Sequence, residues 1–235
     1  MSVRNADEVE AAIAGGAAII DVKEPGRGPM GAATPDTIST VIEAVAGRRP
    51  VTAAAGELVD ADRPLLSQLS ELPLSAIKLG LANQSDRWPA LWADRVPESA
   101  TDRFVPVAYA DHAAARSPRP KTVFQSAAAT GCGAIVIDTW QKHPPAPSLV
   151  TATGREELAG LLDEARSNGL VPMLAGRLDE ADLTLIRRIA ARRDVPAIAG
   201  VRGAACDGGR NGRILRSRVE RLVAALRNTP RAVVF

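Results

Sequence analysis

Three lysines, Lys23, Lys78 and Lys142, lie in or just beyond short apolar runs of a chain that otherwise draws its cations from arginine. The runs are residues 17–22 (AAIIDV), 75–79 (SAIKL) and 134–137 (AIVI), and Lys121 is the only other lysine among 29 basic residues. Arginine serves wherever a solvated cation suffices, so a lysine marks a position where an amine able to lose its proton is useful. Clustered, partly buried amines repel one another's protons, which lowers the pKa of at least one of them. A neutral amine is what Schiff-base chemistry with a carbonyl compound requires. Asp21 and Asp138 stand beside these lysines, and Asp111 follows another apolar run (VPVAYA). All three are candidates for moving protons and orienting the amines. One Asp–Lys pair at a strand end reads as a structural ion pair, whereas three converging lysines favour chemistry.

Convergence requires an architecture that brings distant strand ends together. Strand-like runs at residues 2–4, 17–22, 51–55, 75–79, 104–108, 134–137, 171–175 and 197–201 alternate with stretches of helical period. The helical faces are set by Val9, Ala12 and Ile13; Ile38, Val41, Ile42 and Val45; Leu65, Leu66 and Leu69; and a stretch from Lys121 to Ala129. Later ones follow Leu158, Leu161, Leu162 and Ala165; Leu183, Ile186 and Ile189 or Ala190; and Leu215, Val219, Leu222 and Leu226. Asn5 with Glu8 resembles a capping box, and Thr34-Pro35 reads as a helix N-cap and first turn. Eight strand-then-helix units in 235 residues, with no linker or compositional break, predict one α/β domain, residues 1–235, folded as a closed (β/α)₈ TIM barrel. Its first strand is short or truncated. In such a barrel the reactive groups gather at the C-terminal ends of the strands. Alternation along a strand sends Ile20 and Val22 outward and Asp21 and Lys23 inward, and treats Lys78 and Asp138 likewise.

Glycine marks a second feature. Ala175-Gly176-Arg177 follows strand seven, and GVRGAACDGGRNG, residues 200–212, follows strand eight. Loops at these two places are the usual phosphate site of the fold, built from exposed backbone N–H groups. Gly176, Gly200, Arg202, Gly203, Gly208 and Gly209 are therefore the candidate phosphate-binding residues. A net charge of +2 gives no argument for nucleic acid, and Arg187, Arg188, Arg192 and Arg193 read as a solvated helix face. No apolar run approaches a membrane span and no secretory leader is evident. Two cysteines, Cys132 and Cys206, make no disulfide framework, so a cytoplasmic protein is expected. With His112 and His143 they show no zinc-ligand spacing. A homo-oligomer is left open.

These residues resemble a known family. The segments IDVKEP (20–25) with Gly28 and Gly31-Ala32, IKLG (77–80), Asp138-Thr139 followed by Lys142, and GVRGAAC (200–206) with its DGGRNGRI continuation are similar to the (5-formylfuran-3-yl)methyl phosphate synthases of methanofuran biosynthesis. The likeness runs in order along nearly the whole chain, is most specific in the GVRGAAC block, and is poor from Leu65 to Ala100 outside Lys78. It implies a (β/α)₈ barrel that condenses two molecules of glyceraldehyde 3-phosphate, losing phosphate and water. It also implies that Lys23, Lys78 and Lys142 are the family's lysines and Asp21 and Asp138 its acids. Lys23 or Lys142 would form the imine, Lys23 being preferred for its place in the mouth. No metal or organic cofactor is expected, because the imine is the electron sink. Members of that family begin with a fuller first strand than this chain has. Two readings compete: another Schiff-base aldolase or a phosphosugar isomerase on the same barrel, and a non-catalytic barrel that binds a phosphorylated metabolite.

Overall fold

The computed structural model describes residues 1–143, 145–195, 198–227 and 233–234. Its strands β1 (Ser2–Val3), β2 (Ile20–Val22), β3 (Val51–Glu57), β4 (Ala76–Gly80), β5 (Phe104–Tyr109), β6 (Ala134–Asp138), β7 (Val171–Leu174) and β8 (Ile198–Ala199) neighbour one another in chain order, and each pairing is parallel. Helices α1 (Val9–Ala14), α2 (Pro35–Val45), α3 (Arg63–Glu71), α4 (Trp88–Arg95), α5 (His112–Ala115), α6 (Pro120–Ala129), α7 (Leu149–Ser167), α8 (Glu180–Arg193) and α9 (Arg216–Leu226) lie between and after the strands. This is the (β/α)₈ arrangement expected from the alternation.

The first strand is as short as anticipated. Ser2 and Val3 pair with Asp21 and Val22. The Ser2 amide donates to the Val201 carbonyl at 3.0 Å, which ties the first strand to the chain just after β8. A further strand, β11 (Val233–Val234), pairs in parallel with Ile198 and Ala199 of β8. Of the run 197–201 predicted as a strand, Ala197 lies outside the described residues.

Alternation divides the side chains as predicted. Ile20, Val22, Ile77, Leu79, Ile135 and Ile137 are fully buried in the layer between sheet and helices. Each such residue contributes about 1.5–3 kcal/mol through burial. Ala54, Ala76, Val105, Val107, Tyr109 and Val136 form a separate cluster inside the barrel. Small residues on β3 and β4 leave room there for the long side chains that converge at the mouth.

Thr34 caps α2 by accepting from the Thr37 amide at 3.2 Å, with Pro35 in the first turn. The Asn5–Glu8 capping box does not form. Asn5 makes no capping hydrogen bond, a 3₁₀ turn (Ala6–Glu8) precedes α1, and the Glu8 carboxylate accepts from the Arg4 amide at 2.8 Å. Glu8 is instead claimed by a tertiary partner, Arg202, at 2.7 and 3.1 Å. The segment around Trp88 and Trp92 is α4; the two rings meet edge to face at 5.4 Å, and Trp92 meets Phe104 at 6.4 Å. The glycine-rich loop after β8 is ordered by a small antiparallel hairpin, β9 (Cys206–Asp207) with β10 (Arg213–Ile214).

Candidate active site

A cavity of about 470 Å³ opens at the C-terminal ends of the strands and is lined by Asp21, Lys23, Lys78, Asp138 and Lys142. These residues come from β2, β4 and β6 and from the segments that follow them, so the barrel gathers groups separated by more than a hundred positions. Val136 and Met173 form apolar lining. The loops after β7 and β8 complete it with Gly176, Arg177, Gly200, Arg202, Gly203, Gly208, Gly209 and Arg210.

Two of the lysines are ion-paired. Lys78 donates to Asp21 Oδ1, which also accepts from the Thr52 hydroxyl at 2.8 Å, while Ser2 Oγ donates to Asp21 Oδ2 at 2.9 Å. Lys142 donates to Asp138 Oδ1, which accepts from the Thr139 amide at 2.7 Å. Burial pushes both carboxyl groups toward protonation. For Asp21 the neighbouring Lys78 and Lys23 outweigh that and hold it below the usual carboxylate range. Lys142 and Lys23 do the same for Asp138. Burial lowers Lys142, against the pull of Asp138.

Lys23 differs from both. It makes no ion pair among the described residues. Burial, with Lys142 and Lys78 nearby, lowers its pKa to about 7 even though Asp138 and Asp21 pull it up. Lys23 is therefore an amine that is committed to no carboxylate among the described residues and whose pKa lies near neutrality. Asp138 Oδ2 is buried with no hydrogen-bond partner among the described residues, which leaves one carboxylate oxygen uncommitted within the lysine cluster.

The sequence matches the family model described as 4-HFC-P synthase over residues 1–223. This chain belongs to that family. Relatives include the (5-formylfuran-3-yl)methyl phosphate synthase of Methanopyrus kandleri, 33% identical over 94% of this chain and 94% of the relative. The enzyme of the same name from Methanosarcina mazei is 32% identical over 94% and 95%. A protein of Methylorubrum extorquens described as a putative synthase of this kind is 29% identical over 99% and 92%. Among solved structures, a 3-hexulose-6-phosphate synthase superposes with a TM-score of 0.64 at 15% identity over 96% of this chain and 97% of its own. Triosephosphate isomerase from Bartonella henselae gives 0.51 at 10% identity, covering 95% and 93%. These two likenesses concern the barrel alone. As a member of the 4-HFC-P synthase family the chain is an enzyme of the synthase kind.

In this family member the residues singled out from sequence fall into distinct places. Lys23, Lys78, Lys142, Asp21 and Asp138 meet in the cavity. Asp111 does not line it: its carboxylate accepts from the amides of Trp140 at 2.6 Å and Gln141 at 3.0 Å, which fixes the segment leading to Lys142. Arg202 lines the cavity, but its guanidinium is occupied by protein. Its nitrogens donate to Glu8, Ser2 O, Arg210 O and Gly212 O, so it clasps the β8 loop to the first strand. The Gly200 amide donates to Leu174 O at 2.7 Å and is likewise taken. Gly208 and Gly209 hold left-handed backbone at φ 77° and 74°, a tight reversal that glycine adopts without strain. Gly176 sits at φ 115°, where a Cβ would lie 3.0 Å from the Thr139 hydroxyl and 3.2 Å from Asp138 Oδ1.

Sequence reasoning missed Arg177, Arg210 and the pair Glu57–Tyr109. Tyr109 donates to Glu57 Oε1 at 2.7 Å, and the Ala82 amide donates to Oε2 at 2.9 Å. Burial raises the Glu57 pKa and pushes Tyr109 well above its usual value. The Tyr109 ring meets Trp140 edge to face at 5.5 Å, so the pair supports the β6 loop from inside the barrel. Tyr109 is the single tyrosine of the chain and follows a strand-like run, a signal that would have marked it. His143 lines the cavity, whereas Cys132 and Cys206 are buried thiols that burial pushes up. No group of His, Cys, Asp or Glu suited to hold a metal ion occurs among the described residues, and none of their helices is long and apolar enough to cross a membrane.

Proposed function

We propose that this protein condenses two molecules of glyceraldehyde 3-phosphate to (5-formylfuran-3-yl)methyl phosphate, releasing one phosphate and two waters. The observation that carries the reading is Lys23, an amine in the cavity with no carboxylate partner and a pKa of about 7. Its neutral form adds to the aldehyde of the first triose phosphate, and loss of water gives an imine. Removal of the proton at C2 gives an enamine, for which the Asp138 carboxylate is the base. C2 of the enamine then attacks C1 of the second triose phosphate, and Lys142 supplies the proton to the new alkoxide. Ring closure, dehydration, phosphate loss and release of the lysine complete the furan. Lys78 holds Asp21 ionised, and the two keep the field around Lys23 fixed.

Three features support this reading. The cavity contains paired acids and amines around one unpaired amine, the chain belongs to a family whose named members carry the synthase description, and glycine-rich loops border the cavity at the fold's usual phosphate position. Supply of a furan for a methanofuran-type cofactor in the cytoplasm follows from the same reading. The test is incubation of the purified protein with glyceraldehyde 3-phosphate. Growth of a furfural absorbance together with release of inorganic phosphate is the expected result. A covalent adduct with neither product would leave a simpler aldolase in its place.

A further inference from the structure

Arg177 and Arg210 line the cavity, and neither forms an ion pair among the described residues. Arg202, the third arginine of the lining, is paired with Glu8 and has its nitrogens occupied. The two unpaired guanidiniums are each fastened to a different lysine-bearing segment. Arg210 Nη2 donates to the carbonyls of Pro25 and Gly28, both 3.2 Å away, in the loop that leaves Lys23. Arg177 Nη1 donates to the carbonyl of Lys142 itself at 2.9 Å. In each case the side-chain hydrogen bonds among the described residues use a single terminal nitrogen, which leaves the other guanidinium nitrogens without a partner there. Arg177 also holds a left-handed backbone, φ 54°, which a non-glycine residue adopts at some cost. Among the charged groups lining the cavity, Lys23, Lys78, Lys142, Arg177, Arg202 and Arg210 face Asp21, Asp138 and Asp179, so the cavity carries excess positive charge.

We propose that these two arginines are separate phosphate ligands, one for each substrate molecule. Arg210 holds the phosphate of the triose bound at Lys23, and Arg177 holds the phosphate of the second triose beside Lys142. A planar guanidinium with a free edge matches a phosphate with two parallel hydrogen bonds. The assignment rests on the imine-based condensation proposed above and adds selection between the two molecules. In that condensation C2 of the Lys23-bound triose becomes the ring carbon that bears the phosphorylated CH2. Arg210 therefore keeps the phosphate that stays, and Arg177 releases the one that leaves.

Glycerol 3-phosphate, which has the phosphate but no aldehyde, separates binding from chemistry. Calorimetry should find two molecules bound per wild-type chain and one in each of Arg210→Gln and Arg177→Gln. The lost site should weaken by about 10-fold or more, as expected for hydrogen bonds to a charged group. Borohydride trapping then assigns the sites. Arg210→Gln should slow adduct formation at Lys23 with glyceraldehyde 3-phosphate by about 10-fold or more, leaving that with unphosphorylated glyceraldehyde unchanged. Arg177→Gln should preserve the adduct and lose the furan. Unchanged two-site binding in both folded variants, or equal loss of both adducts in Arg210→Gln, would overturn the assignment. If wild type binds two glycerol 3-phosphates but traps no adduct, the arginine sites stand and the imine reading falls.

Discussion

At the scale of single residues, the proposed imine chemistry turns on a neutral amine. Lys78 and Lys142 each donate to a buried carboxylate and are held in an ion pair. Lys23 has only more distant carboxylates and a pKa of about 7. The rate of imine formation should therefore rise with pH through about 7 and level off above it, because the neutral form is the nucleophile. Stopped-flow measurement of adduct formation across pH 5.5–8.5 (roughly centred on that pKa) checks this, and a flat profile would remove Lys23 from the role. The sign for stability follows separately. A lysine whose folded pKa lies below its unfolded value binds fewer protons when folded, so this group makes stability increase between about pH 7 and the unfolded lysine pKa of about 10.4. Asp138 has one oxygen committed to Lys142 and Thr139 and one uncommitted. Replacing it with Asn removes the proposed general base and the carboxylate paired with Lys142. Asp138→Asn should lower kcat by about 10²–10⁴, measured as furan formation, with folding verified by circular dichroism.

At the scale of elements, the β6 and β7 ends hold the site's geometry. Asp138 is the last residue of β6, and Gly176 follows β7 with its Cα pressed toward Thr139 and Asp138. Gly176→Ala should destabilise the fold by about 1–3 kcal/mol, measured by urea unfolding, because φ 115° strains any side chain and the new Cβ crowds Asp138 Oδ1. Activity should fall further than stability alone accounts for, since the carboxylate must shift. Much at this scale was legible in the sequence. Ile135 and Ile137, or Ile20 and Val22, fix the outer face by alternation, and that sets Asp138 and Asp21 inward. What could not be read were partners brought from far along the chain. Asn5–Glu8 has the spacing of a capping box, but Arg202, 194 positions away from Glu8, offers that carboxylate a buried ion pair. Arg202 itself looks like a phosphate ligand in a glycine-rich loop until Ser2 O, Gly212 O and Glu8 are found around it. Asp111 ends a strand-like run as a catalytic acid would, yet two loop amides satisfy it.

At the scale of the molecule, one barrel places Asp21, Lys23, Lys78, Asp138 and Lys142 around one mouth. We read residues 1–235 as a single domain, closed where the Ser2 amide meets Val201 O and where Arg202 pins the last loop to the first strand. The clasp joins the chain's beginning to its eighth unit, so neither half has a complete sheet alone. Thermal unfolding should then give coincident transitions by far-ultraviolet circular dichroism and by tryptophan fluorescence, which reports on Trp88, Trp92 and Trp140 in two different units. Two resolved transitions would mean that the units unfold as separate domains.

The most direct test of the central claim is to incubate the protein with glyceraldehyde 3-phosphate, reduce with borohydride and map the modified peptide by mass spectrometry. The account predicts one triose adduct on Lys23, absent in a folded Lys23→Arg variant that also forms no furan. An adduct on Lys142 or Lys78 with Lys23 unmodified, or full furan production by Lys23→Arg, would contradict it.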